Sequence, residues 1–203
     1  MSNDSKILIR STVVVFGIIA AVLSLVYGSY LPLRKSQHYI NAFIALQAVK
    51  PLTVENFEKI FDKPLNYNSP VGQEEIVKFL GGTVQNLIGN KNSPEAASAE
   101  LVHYIESYSS DRNPFHLLNL AVMYRLLWEN YHNEEYYKAS EDYYKKLIAI
   151  GPNLPPALYG LFDLYRSYGD ERKLQIVNEA ILAHWPDDTR VKTLYNASQV
   201  IIP

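Results

Sequence analysis

The chain contains no cysteine among its 203 residues. Without thiols it forms no disulfides, no thiolate-bound metal sites and no cysteine nucleophile. It also lacks a strong excess of charge: 19 lysines and arginines stand against 21 aspartates and glutamates, a formal net charge of −2. That balance does not predict a surface for nucleic acid.

Motifs that would indicate catalysis or cofactor binding are missing as well. None of the five histidines belongs to an HExxH motif, and none has a second histidine at ligand spacing. His132 near Glu134 and Glu135 allows either a weak metal site or a solvated turn. Residues 81–83 (GGT) lack the lysine of a phosphate-binding loop, and no G-x-S-x-G motif occurs. The sequence predicts a non-enzyme with no cofactor, no metal and no small-molecule substrate.

One stretch lacks charge altogether, and it is long. Residues 11–33 carry no charged side chain over 23 residues. At about 1.5 Å of rise per residue, such a helix covers the roughly 30 Å hydrocarbon core of a bilayer and satisfies its own backbone hydrogen bonds there. Basic residues flank the stretch on both sides: Lys6, Arg10, Arg34 and Lys35. The pattern predicts a single transmembrane anchor that tethers a soluble domain to the bilayer.

The fate and orientation of this segment leave alternatives. A cleaved signal peptide also has a basic start and an apolar centre, and residues 26–28 are a passable cleavage site. The length of the run favours a retained anchor, as do Tyr27 and Tyr30 at the expected membrane–water interface. The flanking charges nearly balance, and the amino terminus slightly favours the head inside and the domain outside. Pro32 predicts a kink or a break near the end of the span.

Small residues form a stripe on the predicted membrane helix. Gly17, Ala21 and Gly28 lie on one side at spacings of four and seven residues. Small side chains allow another helix to approach closely within a bilayer. These three residues are therefore candidates for packing against a second membrane helix.

The rest of the chain is predicted to be all-α. Apolar residues recur at three- and four-residue spacing, and no window shows sustained strand alternation. Helices are predicted at 36–49, 54–61, 70–88, 94–108, 114–131, 134–150 and 188–198, with a loop at 62–69. We expect the glycines of 81–83 to relax or break their helix. Three domains are predicted: head and anchor (1–35), a helical region of possible degenerate hairpins (36–110), and a repeat region (111–203).

A repeat pattern lies in the last of these domains. Pro152 and Pro186 are 34 residues apart, and between them Leu161 and Tyr165 share one face of a predicted helix. The Gly169-Asp170 pair predicts a left-handed residue that ends this helix, followed by the N-cap of a second helix. With these residues the segment resembles a tetratricopeptide (TPR) repeat, whose period is 34 residues.

A similar unit of altered form precedes it. Residues 119–121 and Tyr124 match the first helix of the repeat, and 143–146 match the second. Because the unit 113–152 is 40 residues long, we expect about six extra residues in the turn at 128–134. Such an insertion would be a candidate partner-specific loop. In the later unit, Phe162 and Leu174 replace small family residues, which implies wider helix spacing or local repacking.

The resemblance implies a solenoid of α-hairpins with 188–198 as its terminal cap. TPR proteins generally bind a peptide or helix of another protein in a groove lined by the first helix of each pair. The residues at those positions are Leu118, Val122, Arg125, Leu126, Tyr159, Asp163 and Arg166, with Ser167 beside them. The alternative is that these side chains make only contacts within the hairpins. The Lys/Asn/Arg set by which chaperone-binding members hold a terminal carboxylate is not found.

A group of tyrosines leaves two alternatives: the side chains pack inside the protein, or they bind a partner. The tyrosines concerned are Tyr131, Tyr136, Tyr137, Tyr143 and Tyr144. They form either an aromatic binding strip or the packing of a helix seam, and the seam is the favoured interpretation. Trp185, at the repeat boundary, is likewise interpreted as packing rather than recognition.

These patterns predict a membrane-tethered TPR adaptor that binds membrane-associated proteins. Residues 66–80 (NYNSPVGQEEIVKFL) are similar to the soluble helical tails of bacterial O-antigen ligase-type proteins, which favours envelope assembly, secretion or surface-glycan machinery. One alternative is a structural accessory subunit, packed through its transmembrane helix into a multi-span complex. A third hypothesis is an enzyme whose site carries no recognised motif.

Overall fold

The computed structural model describes residues 3–90 and 93–200 of the chain. Every regular element in these ranges is helical, which confirms the predicted all-α class. The helices are α1 (Asn3–Leu25), α2 (Leu31–Ala48), α3 (Val54–Asn66), α4 (Gln73–Ile88), α5 (Glu95–Tyr108), α6 (Pro114–Tyr131), α7 (Glu134–Ile150), α8 (Pro155–Tyr168), α9 (Glu171–His184) and α10 (Thr189–Val200). The chain divides into two compact units, residues 1–76 and 77–203. The domain boundaries after residues 35 and 110 stay predictions.

The first unit begins with a helix long enough to cross a membrane. Arg10–Ala48 forms 39 continuous helical residues, with a mean hydropathy of 2.2 over its most apolar window and none of that window buried. It is the one helix in the described ranges whose length and composition suit a membrane span. A signal sequence would meet the same criterion, so the question of cleavage stays open.

This long helix changes its winding where Pro32 was expected to kink or break it. A π-helical turn occupies Val26–Tyr30, and the Leu31 N–H bonds to the Val26 carbonyl. Proline clashes with the carbonyl four residues earlier in an ordinary α-helix. The wider turn just before Pro32 relieves that crowding, and the helix continues into α2 without a break.

Beyond the charge-free stretch, α2 packs against α3 through one face. Ala42 on α2 is buried, as are Phe57 and Phe61 on α3, whose rings are 4.8 Å apart. Lys35 is also buried, at 3% exposure, and its ammonium donates to the Tyr67 carbonyl at 2.9 Å. The same ammonium also donates to the side-chain amide of Gln73, with Lys35 Nζ 2.6 Å from Oε1.

The predicted end of α3 was wrong. Thr53 caps the helix as expected, accepting a hydrogen bond from the Asn56 N–H at 3.2 Å. The helix then runs past Phe61 and through Pro64 to Asn66, so residues 62–66 are not a loop. Proline removes one backbone hydrogen bond. Pro64 itself is buried, and we attribute the continuation to this gain in apolar contact.

The glycines in α4 do not break it. The helix continues through Gly81 and Gly82 to Ile88. A Cβ added at Gly81 would lie 2.5 Å from Asn119 Nδ2 on α6. Asn119 Nδ2 also donates to the Lys78 carbonyl at 2.9 Å. Gly81 thus allows α4 and α6 to approach closely, and the prediction of a relaxed or broken helix was wrong.

From α5 onward, each helix contacts the next along the chain, and α6 also contacts α8. Short turns join α6 to α7 and α8 to α9, and α7 packs on α8 about as extensively as α8 packs on α9. Gly169 ends α8 in the left-handed region at φ 84°, and Asp170 caps α9 by accepting from the Lys173 N–H at 3.0 Å. Both features of this turn are confirmed. The terminal helix is confirmed as α10.

The expected insertion between α6 and α7 is not a loop. α6 runs to Tyr131 and α7 starts at Glu134, which leaves only His132 and Asn133 between them. His132 adopts the left-handed conformation at φ 55°, and Asn133 caps α7 by accepting from the Glu135 N–H at 3.0 Å. The extra residues lengthen the two helices instead. No partner-specific loop exists at this position.

Candidate functional site

The predicted groove residues lie on two neighbouring helices of the second unit. We call them together the α6–α8 face: Leu118, Val122, Arg125 and Leu126 on α6, and Tyr159, Asp163 and Arg166 on α8. The side chains of Leu118, Val122 and Tyr159 are partly buried against one hydrophobic cluster. Since α6 contacts α8, the structure brings the two halves of the predicted site together.

Arg125 is held in place by its surroundings. Its Nη1 donates to Glu129 Oε1 at 2.6 Å, one turn further along α6, and the Tyr144 hydroxyl lies close enough to act on its charge. Burial by itself lowers the pKa of Arg125, but Tyr144 and Glu129 outweigh that effect and raise it. Its Nε is buried and has no hydrogen-bond partner. The guanidinium is therefore charged and ordered.

Tyr144 connects the two helices of the face. Its side chain comes from α7 and is 1% exposed. A Cβ placed at Gly160 on α8 would lie 2.2 Å from Tyr144 Cε1, so the ring lies flush against the α8 backbone. The hydroxyl end reaches Arg125 on α6, and Asp163 on α8 acts on it electrostatically. Burial raises the pKa of Tyr144, which keeps the hydroxyl neutral.

Asp163 is the acidic centre of the α8 half. Its Oδ1 lies 3.8 Å from Arg166 Nη2 and its Oδ2 lies 3.8 Å from Arg190 Nη2. The arginine side chains are 40% and 68% exposed. At such distances and exposures the ion pairs contribute little to stability. Both guanidinium groups keep donors that face solvent.

Near the start of α8, Tyr159 belongs to an aromatic contact. It stacks on Trp185 with ring centroids 5.8 Å apart, and its hydroxyl donates to the Asp188 carboxylate. That hydrogen bond is the main cause of the low pKa of Asp188, with the Val191 N–H adding to it. Trp185 also packs against the hydrophobic cluster. These contacts agree with its interpretation as packing.

Most of the tyrosine group packs or bonds inside the protein. Tyr137 and Tyr144 are buried. Tyr143 stacks on Tyr124 with centroids 5.8 Å apart, and both hydroxyls donate to the carboxylate of Glu106. These contacts make the group a packed seam rather than an open aromatic strip.

Residues outside the predicted set extend the face. Phe79 on α4 and Phe115 on α6 are 57% and 55% exposed, and the Lys78 ammonium lies 5.8 Å and 4.1 Å from their ring centroids. We call these three residues the Lys78 patch. Phe115 was within reach of sequence reasoning, because it lies three and seven residues before Leu118 and Val122. Phe79 had no such signal, since its place depends on the approach of α4 to α6.

The candidate packing residues of the predicted membrane helix are exposed in the structure. Gly17, Ala21 and Gly28 all lie on the surface of the long helix. A Cβ added at Gly17 would meet no atom within 4 Å. No residue of the described ranges covers this position.

Metal ligands do not cluster in the described ranges: no group of three or more His, Asp or Glu side chains there is placed to hold an ion. Comparison of the chain with protein-family models, with curated proteins and with solved structures finds no match. The resemblance to TPR repeats therefore rests on this chain's own residues.

Proposed function

We propose that this chain is a membrane-tethered adaptor of TPR type, which binds other proteins at a membrane surface through the α6–α8 face. The observation that carries the proposal is the face itself. It presents partly exposed apolar side chains beside an arginine ordered by Tyr144 and Glu129. Pre-ordered side chains lose little entropy when a partner binds.

The order of helix contacts supports the TPR-type arrangement. The pairs α6–α7 and α8–α9 are hairpins joined by short turns, and the first helices of the two pairs touch. Leu161 and Tyr165 are both buried. Phe162 and Leu174, which stand where the family has small residues, are buried as well. The helix packing therefore has room for these two larger side chains. Gly160, two residues before Phe162, allows the Tyr144 ring to approach the α8 backbone closely.

A membrane location would place the adaptor close to its partners. The apolar helix would confine the face to one bilayer and raise its effective concentration for neighbours there. We propose a retained single-pass anchor with the head inside and the soluble domain outside the cytoplasm. Its partners would be membrane-associated proteins of envelope assembly, secretion or surface-glycan machinery. In this role the chain needs no catalytic residue, cofactor, nucleic acid or small-molecule substrate.

Site-specific photocrosslinking in native membranes tests the proposal. A photoreactive residue replaces Leu126 on the face in one variant, and Ile176 on α9 in a matched control. Ile176 is 59% exposed and lies outside the face. We expect the Leu126 variant to give discrete adducts with one partner protein, and the Ile176 variant to give none. Equal adducts from both sites, or none from either, would contradict the proposal.

A second function, that of a structural accessory subunit, is favoured by a specific observation on α2. Opposite the face that packs on α3, the side chains of Leu33, Ile40 and Ile44 are 58%, 55% and 60% exposed. Their spacing places them on one stripe of the helix. A multi-span membrane complex that packs on the anchor would also cover this exposed stripe.

Replacing residues 11–33 with an unrelated apolar span separates the two functions. Partner binding that survives this replacement favours the adaptor. Binding that is lost while the protein remains folded and membrane-bound favours the accessory subunit.

A further inference from the structure

The Lys78 patch and the α6–α8 face belong to one side of α6. Phe115, Leu118, Val122 and Leu126 follow one another at spacings of three, four and four residues, which keeps them on one stripe. Eleven residues of α-helix extend over roughly 16 Å. The stripe is thus long enough to contact several residues of a bound peptide, with exposed aromatic rings at its start.

Cations outnumber carboxylates along this side. Lys78, Arg125, Arg166 and Arg190 provide four positive charges. Three carboxylates stand against them. Glu129 and Asp163 already accept ion pairs from three of these residues. Asp188, which accepts from Tyr159, lies near Arg190. Because the chain as a whole has a net charge of −2, this excess is local.

The strongest spare donors stand at the two ends. The Lys78 ammonium lies over the Phe115 ring, where an apolar side chain and a carboxylate of one partner would both find complementary groups. Arg166 and Arg190 are each held to Asp163 by one 3.8 Å contact. Such long contacts are replaced at little cost when a partner carboxylate offers a bidentate pair.

We infer that this side of α6 binds an amphipathic segment of another protein that carries acidic residues. Apolar side chains of the segment lie on Phe79, Phe115 and Val122, and its carboxylates pair with Lys78 at one end and Arg166 and Arg190 at the other. The inference rests on the proposed adaptor function and adds the chemistry of the partner.

Anionic lipid is the other ligand that offers negative charge at a membrane surface. One feature favours a protein segment. The apolar stripe of α6 separates the Lys78 end from the arginine end, a spacing that a peptide chain with apolar side chains can follow.

A displayed library of random peptides provides the test. The full chain is held in nanodiscs of phosphatidylcholine, and bound peptides are selected and sequenced. Binding of the selected peptides is then measured for the double variants Arg166→Gln/Arg190→Gln and Phe79→Ser/Phe115→Ser. The matched controls are Arg172→Gln and Ile176→Ser, which change exposed residues of α9.

We expect the selected peptides to be enriched in both acidic and apolar residues. Each double variant should weaken their binding by about tenfold, whereas the controls should leave it unchanged. Raising the salt concentration should weaken binding to the parent chain more than binding to the arginine variant.

Three results would overturn the inference. Peptides without acidic enrichment, whose binding is lost in Val122→Glu, would refute the partner chemistry but leave the adaptor function intact. Binding that is unchanged in Val122→Glu would refute both the partner chemistry and the adaptor function. Capture of vesicles containing phosphatidylserine, abolished in Arg166→Gln/Arg190→Gln without any peptide binding, would assign the cations to lipid.

Discussion

The ring of Tyr144 lies directly against the backbone of Gly160, where an added Cβ would stand 2.2 Å from Cε1 and 2.3 Å from Cζ. The ring is 1% exposed, and its hydroxyl lies close enough to the Arg125 guanidinium to act on its charge. The ring therefore has no room to change its orientation. This contact sets the distance between α7 and α8 and also orders the arginine of the candidate face.

Gly160→Ala should lower the free energy of unfolding by about 1–3 kcal/mol, because the added methyl group overpacks this contact. Urea unfolding followed by far-ultraviolet circular dichroism measures the effect. Gly82→Ala is the control, since a Cβ there meets no atom within 4 Å. That change should stabilise the protein by about 0.5–1 kcal/mol. Equal effects of the two substitutions would refute the contact.

Glu141 should make stability depend on pH. Burial raises the pKa of Glu141, but hydrogen bonds from Lys173, Lys145 and Tyr165 outweigh it and hold the pKa below its ordinary value. A lowered folded-state pKa adds stability above the unfolded pKa of about 4.3, and this stability is lost as pH falls through the folded value. Glu141→Gln should therefore flatten the loss of stability as the pH falls from about 5 through the folded-state pKa.

At neutral pH the same substitution should cost about 1–3 kcal/mol. We place the expected value low in that range, because Lys173 and Lys145 are 40% and 54% exposed and solvent screens their charges. Glu179→Gln, an exposed residue of α9, is the control. An unchanged pH profile in Glu141→Gln would contradict the assignment.

Asp170 should stabilise α9 mainly through its capping hydrogen bond. Asp170→Ala removes the acceptor for the Lys173 N–H at 3.0 Å and should cost about 0.5–2 kcal/mol. Asp170→Asn keeps an acceptor oxygen and loses only the 3.5 Å ion pair with Lys173, so it should cost much less. Thermal unfolding of both variants compares them, and equal losses would show that charge rather than capping matters.

Orientation in the membrane can be read with single cysteines, because the natural chain has none. Ser5→Cys and Lys192→Cys place one thiol in the head and one on α10. With a retained anchor and the domain outside, an impermeant maleimide should label Cys at 192 in intact cells, and Cys at 5 only after permeabilisation. The reverse pattern would invert the topology. Loss of the residue-5 label from the mature chain would indicate cleavage.

Local chemistry alone predicted a good part of this structure. Gly169 and Asp170 predicted the turn and the helix cap that the structure has, because a left-handed glycine and an N-terminal carboxylate act on the neighbouring backbone. The same holds for Thr53 at the start of α3. The resemblance also named the residues of the α6–α8 face, although it left the function of the face open.

Where tertiary contacts compete with local preference, the sequence misled. Pro64 and the glycines of α4 look like breaks, yet both lie inside helices. In α3 the buried Pro64 gains apolar contact, and at Gly81 a missing side chain lets α6 approach. The extra residues near Trp128 lengthened two helices instead of forming a loop. Burial outweighs propensities of about 1 kcal/mol or less per residue, such as that of glycine.

The sequence by itself determined the helical class, the long apolar helix and the caps, since each depends on residues close together in the chain. Only the tertiary structure decided that Tyr144 would order Arg125, that Phe79 would join Phe115, and that Lys35 would be buried on the loop after α3. These relations join residues that are 19 to 36 positions apart. They depend on which helices pack together, and no local pattern encodes that choice.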